Sequence, residues 1–271
     1  MSSDALSSPF GSEPIDEIPL ARSPLIRVLA QVRFPKLVAM SAPNIDSTVG
    51  LVVERLRDSY PILNERHEAQ FTVGPDGVSQ TIGAKLWLLR SADDAWQVTI
   101  GETFVSLAAR LYISRADFAK RFAAVLNEVS DTISPPFVER LGVRYTNSIQ
   151  DSDILLRIHE LVRPEVLGGL AVPRPEGVVL AHTMSECLYQ FGSRMLRVQW
   201  GLLPPGTAID PTLPALSDRS WMLDLDSFVE QRSQFDADAI ASTVVELAGN
   251  AYRYFRWVVT EKFLAAFGGE T

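Results

Sequence analysis

The sequence predicts an α+β chain built as two pseudo-repeated halves. Each half reads strand, helix, three strands and helix, with antiparallel or mixed sheets packed around one long C-terminal helix. Three observations carry this expectation. Runs with a two-residue apolar period alternate with runs of helical period along most of the chain. Proline punctuates the boundaries at Pro35, Pro61, Pro135-Pro136 and Pro164. The last run, Asp236 to about Phe267, is long and unusually apolar.

The elements follow in order. Residues 1–22 are rich in Ser, Pro and acids (Asp4, Glu13, Asp16, Glu17) and read as a flexible N-terminal tail that settles near Ile18 or Leu20. The first α+β half spans 23–136. Ile26, Val28, Ala30, Val32 and Phe34 alternate with Arg27, Leu29, Gln31 and Arg33, a half-buried strand closed by Pro35. Ile45, Val49, Val52, Val53, Leu56 and Tyr60 recur at helical spacing, with Ser41 or Asn44 as cap. Three strands follow at about 67–74, 82–91 and 95–101, separated by Gly74-Pro75-Asp76-Gly77 and Ala92-Asp93-Asp94, and Phe104–Leu107 either extends the last or starts another. Ser114 with Asp117 three residues on marks the start of a second helix whose stripe runs from Phe118 to Ile133.

The second half spans 137–271, the two together forming one interlocked unit. It opens with a strand from Arg140 to Gln150, then a helix from Ile154 to Leu161 capped by Asp151 or Ser152 and stopped by Pro164. Strands at about 178–191, 194–202 and 220–228 precede the closing helix. That helix carries apolar residues from Val244 to Phe263 over more than half its circumference, which requires cover on most sides, from the sheets or from a second subunit.

Composition bounds the function. Of 271 residues, 46% are hydrophobic and 21% charged, which suffices for a packed core and excludes a mostly disordered chain. Lys and Arg number 25 against 33 Asp and Glu, so the net charge of −8 argues against a general polyanion binder. A local basic face keeps nucleic acid as a third possibility. Cys187 is a lone cysteine and excludes an internal disulfide. No apolar run approaches the roughly 20 residues of a membrane span, and Met1-Ser2-Ser3-Asp4 lacks a signal's basic and apolar regions, so a cytoplasmic protein is expected.

The common catalytic patterns do not occur. His67, His159 and His182 lie far apart, and the sequence has no HExxH, GxxxxGK[ST], GxGxxG or GxSxG. No metal and no cofactor is therefore expected, and a catalytic role is disfavoured. What remains are polar residues on strands. Arg144, Thr146 and Ser148 share one face, Arg197 and Gln199 another, and Asp224 and Asp226 a third. In a shared sheet they form one surface on which arginines meet aspartates. Asn147 lies on the apolar side of its strand and needs a hydrogen-bond partner there. The two aspartates, about 7 Å apart along a strand, have the spacing of a hydrolytic dyad. Nearby arginines, however, would keep both ionised, which suits a salt-bridge network better. The candidate binding residues are thus Arg144, Asn147, Arg197, Asp224 and Asp226.

The Pro24–Phe34 strand, Phe104-Val105-Ser106-Leu107 with Tyr112, the segment Arg140–Asn147, Leu223-Asp224-Leu225-Asp226, and the closing helix with Phe255 and Thr260 carry a resemblance. The chain resembles a sporadically distributed family of uncharacterised prokaryotic proteins, most sharply in Gly142-Val143-Arg144-Tyr145-Thr146-Asn147, where the family more often has an aliphatic residue in place of Thr146. The resemblance implies an intracellular protein of unknown activity, and its patchy occurrence points to mobile or defence-associated gene neighbourhoods. It supplies no catalytic residues.

The expectation is a non-catalytic binding or interaction module that self-associates or pairs with a protein partner. The alternative is an enzyme or small-molecule binder with a polar pocket formed by Arg144, Arg197, Asp224 and Asp226.

Overall fold

The computed structural model describes residues 6–11, 15–74, 77–210 and 212–269. The chain is mixed α and β, with a large antiparallel sheet where the sequence suggested two, and a separate two-stranded pairing. It forms two compact units that the chain visits alternately. One comprises Met1–Arg27, Arg144–Ser227 and Glu246–Thr271; the other comprises Val28–Val143 and Phe228–Val245.

In the second of these units, β1 (Leu25–Arg33) is followed by α1 (Ile45–Leu56), β2 (Ile62–Gly74), β3 (Gly77–Arg90), β4 (Trp96–Gly101), β5 (Phe104–Ala109) and α2 (Arg115–Ile133). Its strands run in the order β2-β3-β4-β5-β1. Alternation places Val28, Ala30 and Val32 of β1 in the core, opposite Ala109, Leu107 and Val105 of β5. Of the two readings open for Phe104–Leu107, the segment starts a strand of its own, because Glu102 and Thr103 turn the chain between β4 and β5. The β2–β3 hairpin also starts earlier than the sequence suggested. Asn64, Glu65, Arg66 and His67 are exposed on both faces and so carry no apolar period, yet their backbone pairs with Leu86–Leu88 and Lys85. Pro75 and Asp76 of the expected turn lie outside the described residues.

Two helix starts show how local chemistry decides. Ser114 accepts a hydrogen bond from the Asp117 amide at 3.1 Å, and α2 begins as its sequence requires. Neither expected cap serves α1: Asn44 makes no capping bond, and the Ser41 hydroxyl donates to the Leu37 carbonyl instead. α1 also stops at Leu56, four residues short of Tyr60. Two short strands that the sequence did not indicate, β6 (Phe137–Val138) and β11 (Ser233–Gln234), pair with each other.

The first unit holds β7 (Arg140–Ile149), α3 (Ser152–Leu156), α4 (Ile158–Leu161), β8 (Thr183–Phe191), β9 (Arg194–Leu203), β10 (Ser220–Val229), α5 (Ala237–Val258) and α6 (Glu261–Ala266), several of which begin or end in the other unit. Its strands run β7-β10-β9-β8, so among the described residues β8 has a strand neighbour on one side only. Gly201 of β9 sits against β8 so closely that a Cβ there would clash with the Thr183 carbonyl oxygen. β8 begins at Thr183, not near 178; residues 178–182 form no strand. Asp151 caps α3 through the amides of Asp153 and Ile154, at 2.9 and 3.0 Å. The single helix expected over 154–161 breaks at Arg157 into α3 and α4.

The closing helix is likewise two. α5 ends at Val258, and Val259 leaves the helix to form a β-bridge with Val162. The Arg163 amide donates to the Val258 carbonyl and the Thr260 amide to that of Leu161, both at 2.9 Å. Thr260 then caps α6, accepting from the Phe263 amide while its hydroxyl reaches the Glu160 and Leu161 carbonyls. The break exchanges helical hydrogen bonds for lateral ones. From Leu247 to Val258 no residue of α5 is exposed, whereas its first turns leave Asp238, Ala239, Ser242, Val245 and Glu246 outward.

The described part of the expected flexible tail is anchored. Phe10 packs its ring 4.9 Å from that of Tyr189, the Ile18 amide donates to the Tyr252 hydroxyl at 2.7 Å, and Leu20 to Arg22 pair with Phe267 to Gly269. Residues 1–5 and 12–14, with Asp4 and Glu13, lie outside the described residues. No described helix is long and apolar enough to cross a membrane.

Loss of the hydroxyl that joins α6 to α4 should be measurable. Thr260→Ala is expected to lower the free energy of unfolding by about 1–2 kcal/mol in a denaturant titration. Thr243→Ala, whose hydroxyl only bonds back to Ala239 within α5, should stay within about 0.5 kcal/mol of wild type.

Candidate functional site

β7 and β10 are antiparallel neighbours, and their register builds the most concentrated charged cluster of the first unit. The four-residue step from Arg144 to Ser148 along β7 is matched by the step from Asp224 back to Ser220 along β10. Both ends are closed by side chains: Ser148 and Ser220 share a 2.7 Å hydrogen bond, and Arg144 Nε donates to both oxygens of Asp224 at 2.9 Å. Thr146, between them, donates its hydroxyl to Asp224 Oδ1 at 2.8 Å. Asp224 is only 2% exposed, so these donors are its substitute for water.

A third element completes the cluster. In the loop after β9, Asp210 accepts from the Thr212 amide at 2.8 Å and from the Thr212 hydroxyl at 2.5 Å, an aspartate-centred turn. Its other oxygen receives Arg144 Nη1 at 2.6 Å and lies 3.0 Å from Arg27 Nη2. Arg27 Nη1 also donates to the Thr212 hydroxyl at 2.5 Å. One guanidinium thus bridges two carboxylates, and one carboxylate bridges two guanidiniums.

The electrostatics follow from that geometry. Burial opposes ionisation of Asp210, but the Thr212 donors and the two guanidiniums prevail and hold its carboxyl at about 2. At Asp224 burial dominates and pushes the carboxyl above its ordinary value, against the pull of Arg144 and Thr146. Burial also works against the charge of Arg144, yet Asp224, Asp210 and Asp226 together hold its guanidinium above its usual value. Two carboxylates shifted apart are a pattern used in proton transfer. Here, however, all the hydrogen bonds named run within the cluster, and Asp224 is sealed from water. The chemistry this arrangement performs is cohesion: it pins β7, β10, the start of β1 and the loop bearing Asp210 to one another.

The five residues singled out from sequence fare differently. Arg144 and Asp224 meet as a pair, and the charge of Asp226 acts on Arg144 from two residues further along β10. Asn147 finds its partner, donating Nδ2 to the Leu223 carbonyl at 3.2 Å. Arg197 does not join them. It is exposed on β9, opposite Leu188 of β8, and makes no ion pair among the described residues, so the expected pair with Asp226 does not form. The predicted four-residue pocket is therefore absent as such. Arg27, Asp210 and Thr212 were missed. Arg27 stands on what reads as the wet face of an ordinary strand, and Asp210-Pro211-Thr212 carries a turn signal but nothing to say which strands it faces.

A cleft of about 730 Å³ opens elsewhere in this unit, walled by Leu155, Leu156 and Leu170 with Arg174 and Arg219. None of the five predicted residues lines it. Among the described residues no group of three or more His, Cys, Asp or Glu is placed to hold a metal ion.

Removing Asp224 leaves Arg144 paired with Asp210 but strips Arg144 Nε and the buried Thr146 hydroxyl of their acceptor. Asp224→Ala should cost about 1–3 kcal/mol in unfolding free energy, while Arg197→Ala should change it by less than about 0.5 kcal/mol. The folded carboxyl of Asp210 lies below its unfolded value of 3.8, so its contribution is complete above that value and is lost as pH falls toward 2. Unfolding free energy measured from pH 5 to pH 2 should therefore fall less steeply in Asp210→Asn than in wild type, the difference amounting to about 2 kcal/mol over that interval.

Compared with models of known protein families, the chain matches none, and no curated protein matches it. The resemblance drawn from its strand motifs rests on those residues alone.

Proposed function

We propose that the chain is a non-catalytic interaction module that self-associates through the edge of β8. The observation that carries this reading is the character of that strand. Among the described residues β8 ends its row of strands and pairs only with β9, leaving one line of backbone donors and acceptors without a strand partner. Its residues alternate strictly, and the outward set includes Met184 at 43% and Leu188 at 57% exposure, large apolar side chains facing solvent beside Glu186 and Gln190. An edge strand of this kind is a template for adding another strand, by backbone hydrogen bonds for affinity and alternate side chains for selectivity.

In the charged cluster, the obvious place for a reaction centre, Arg144, Thr146, Asp210 and Asp224 spend their side-chain bonds on one another, while Arg27 Nε and Nη2 find no hydrogen-bond acceptor among the described residues. The apolar load of α5, which the sequence offered as a subunit surface, is covered within the chain apart from Val245 at 39% exposure, so α5 supplies no association surface and the proposal rests on β8. A second copy is favoured because identical edge strands can meet across a two-fold axis with both edges closed at once.

Sedimentation velocity over a hundredfold concentration range tests this. Wild type should shift from monomer toward dimer, and Leu188→Glu should remain monomeric with unchanged unfolding free energy. A wild type that stays monomeric throughout, or a Leu188→Glu variant that dimerises equally, would refute the assignment.

A further inference from the structure

The cleft of about 730 Å³ in the first unit is walled by α3, α4, the turn Gly168–Ala171, the end of β9 and the loop before β10. Its volume lies within the roughly 300–1,000 Å³ of small-molecule sites. Its wall is unfinished in two ways. The first is apolar: α3 buries none of its five residues, although three of them are Ile154, Leu155 and Leu156. Leu156 stands 77% exposed, and Leu155 and Leu170 are half-buried in the same wall.

The second is charge. Arg219 is exposed and makes no hydrogen bond or ion pair among the described residues. Its neighbour Asp218 accepts from the Ser217 hydroxyl at 2.9 Å instead. Arg174, also exposed, spends Nη1 on the carbonyls of Gly169 and Val172, at 3.1 and 3.3 Å. Those bonds tie its guanidinium to the turn and leave Nε and Nη2 with no acceptor among the described residues. Both side chains reach solvent, so these donors are open to a ligand. His159 lies 3.9 Å from Glu160. Among the described lining residues two guanidiniums stand against the single carboxylate of Asp218, an excess of one positive charge on a chain of net charge −8.

We infer that this cleft is a binding site for an amphipathic carboxylate, its head on Arg174 and Arg219 and its apolar body along Leu155, Leu156 and Leu170. A carboxylate accepts from a guanidinium through short, charge-assisted hydrogen bonds and matches its planar fork. One head charge balances the excess in the wall, whereas the doubly charged head of a phosphate monoester is repelled more strongly by Asp218. The apolar body covers the leucines that α3 leaves to water. The site shares no residue with β8 and does not rest on its association.

Isothermal titration calorimetry on the full chain at pH 7 tests the assignment, with sodium octanoate as probe and 1-octanol and octyl phosphate as comparisons. Wild type should bind octanoate saturably, one per chain, and each comparison compound more weakly. Arg219→Gln should weaken octanoate binding about tenfold or more. Its Tm without ligand should match wild type, because the side chain has no partner to lose. Leu156→Glu, at an exposed position, should weaken binding likewise by replacing apolar wall with a like charge. Leu188→Glu should bind octanoate as wild type does, whatever happens to association. An absence of saturable binding, or an affinity that Arg219→Gln leaves unchanged, would overturn the assignment. So would 1-octanol binding as tightly as octanoate, which would mark the cleft as apolar only, or octyl phosphate binding more tightly.

Discussion

One buried carboxylate constrains much of the first unit. Asp224 sits on β10 with almost no access to water, and a bare carboxylate there would be untenable. Arg144 must come from the neighbouring strand in register, Thr146 must lie beneath it, and Asp210 must fold back from its loop to share the guanidinium. Arg27 then enters to balance the second carboxylate. Each charge is placed by the need of the one before it. The register of β7 on β10, which a one-residue slip would turn inside out, is thereby fixed by ions as well as by the apolar face.

The same unit is closed at the chain's far end by backbone pairing. The interruption between α5 and α6 looks like a defect in a long helix, but it frees the Val259–Thr260 segment to join Leu161–Arg163. The residues after α6 receive Leu20 to Arg22 in turn, so segments distant in sequence meet side by side. By contrast β8 pairs with β9 alone among the described strands, and its outward side chains include the apolar Met184 and Leu188 beside Glu186 and Gln190.

Much of this was legible in the residues. Alternation in β1, β7 and β10 gave their inner faces, the Ser114 and Asp151 caps are where side-chain chemistry puts them, and the meeting of Arg144 with Asp224 follows from polar residues facing each other on adjacent strands. The misreadings have specific physical causes. The first part of β2 is exposed on both faces and has no period to detect. Arg197 alternates as Arg144 does, but no acidic partner stands opposite it; Leu188 does. Asp210 belongs to a loop whose direction depends on contacts made far away in sequence.

By itself the sequence determined what is local: the mixed α and β class, the faces of most strands and helices, the caps, and the residue types able to form an ionic cluster. Those properties arise from period and from side chains within a few residues of one another. Only the tertiary structure decided which strands are neighbours, that Asp210 rather than Arg197 completes the cluster, that the closing helix breaks at Val259, and that β8 stands at an edge. The decisive contacts, Arg144 with Asp210 and Asp224 and Val162 with Val259, join residues more than fifty apart, brought together by pairing and burial, and no local pattern encodes the identity of a distant partner.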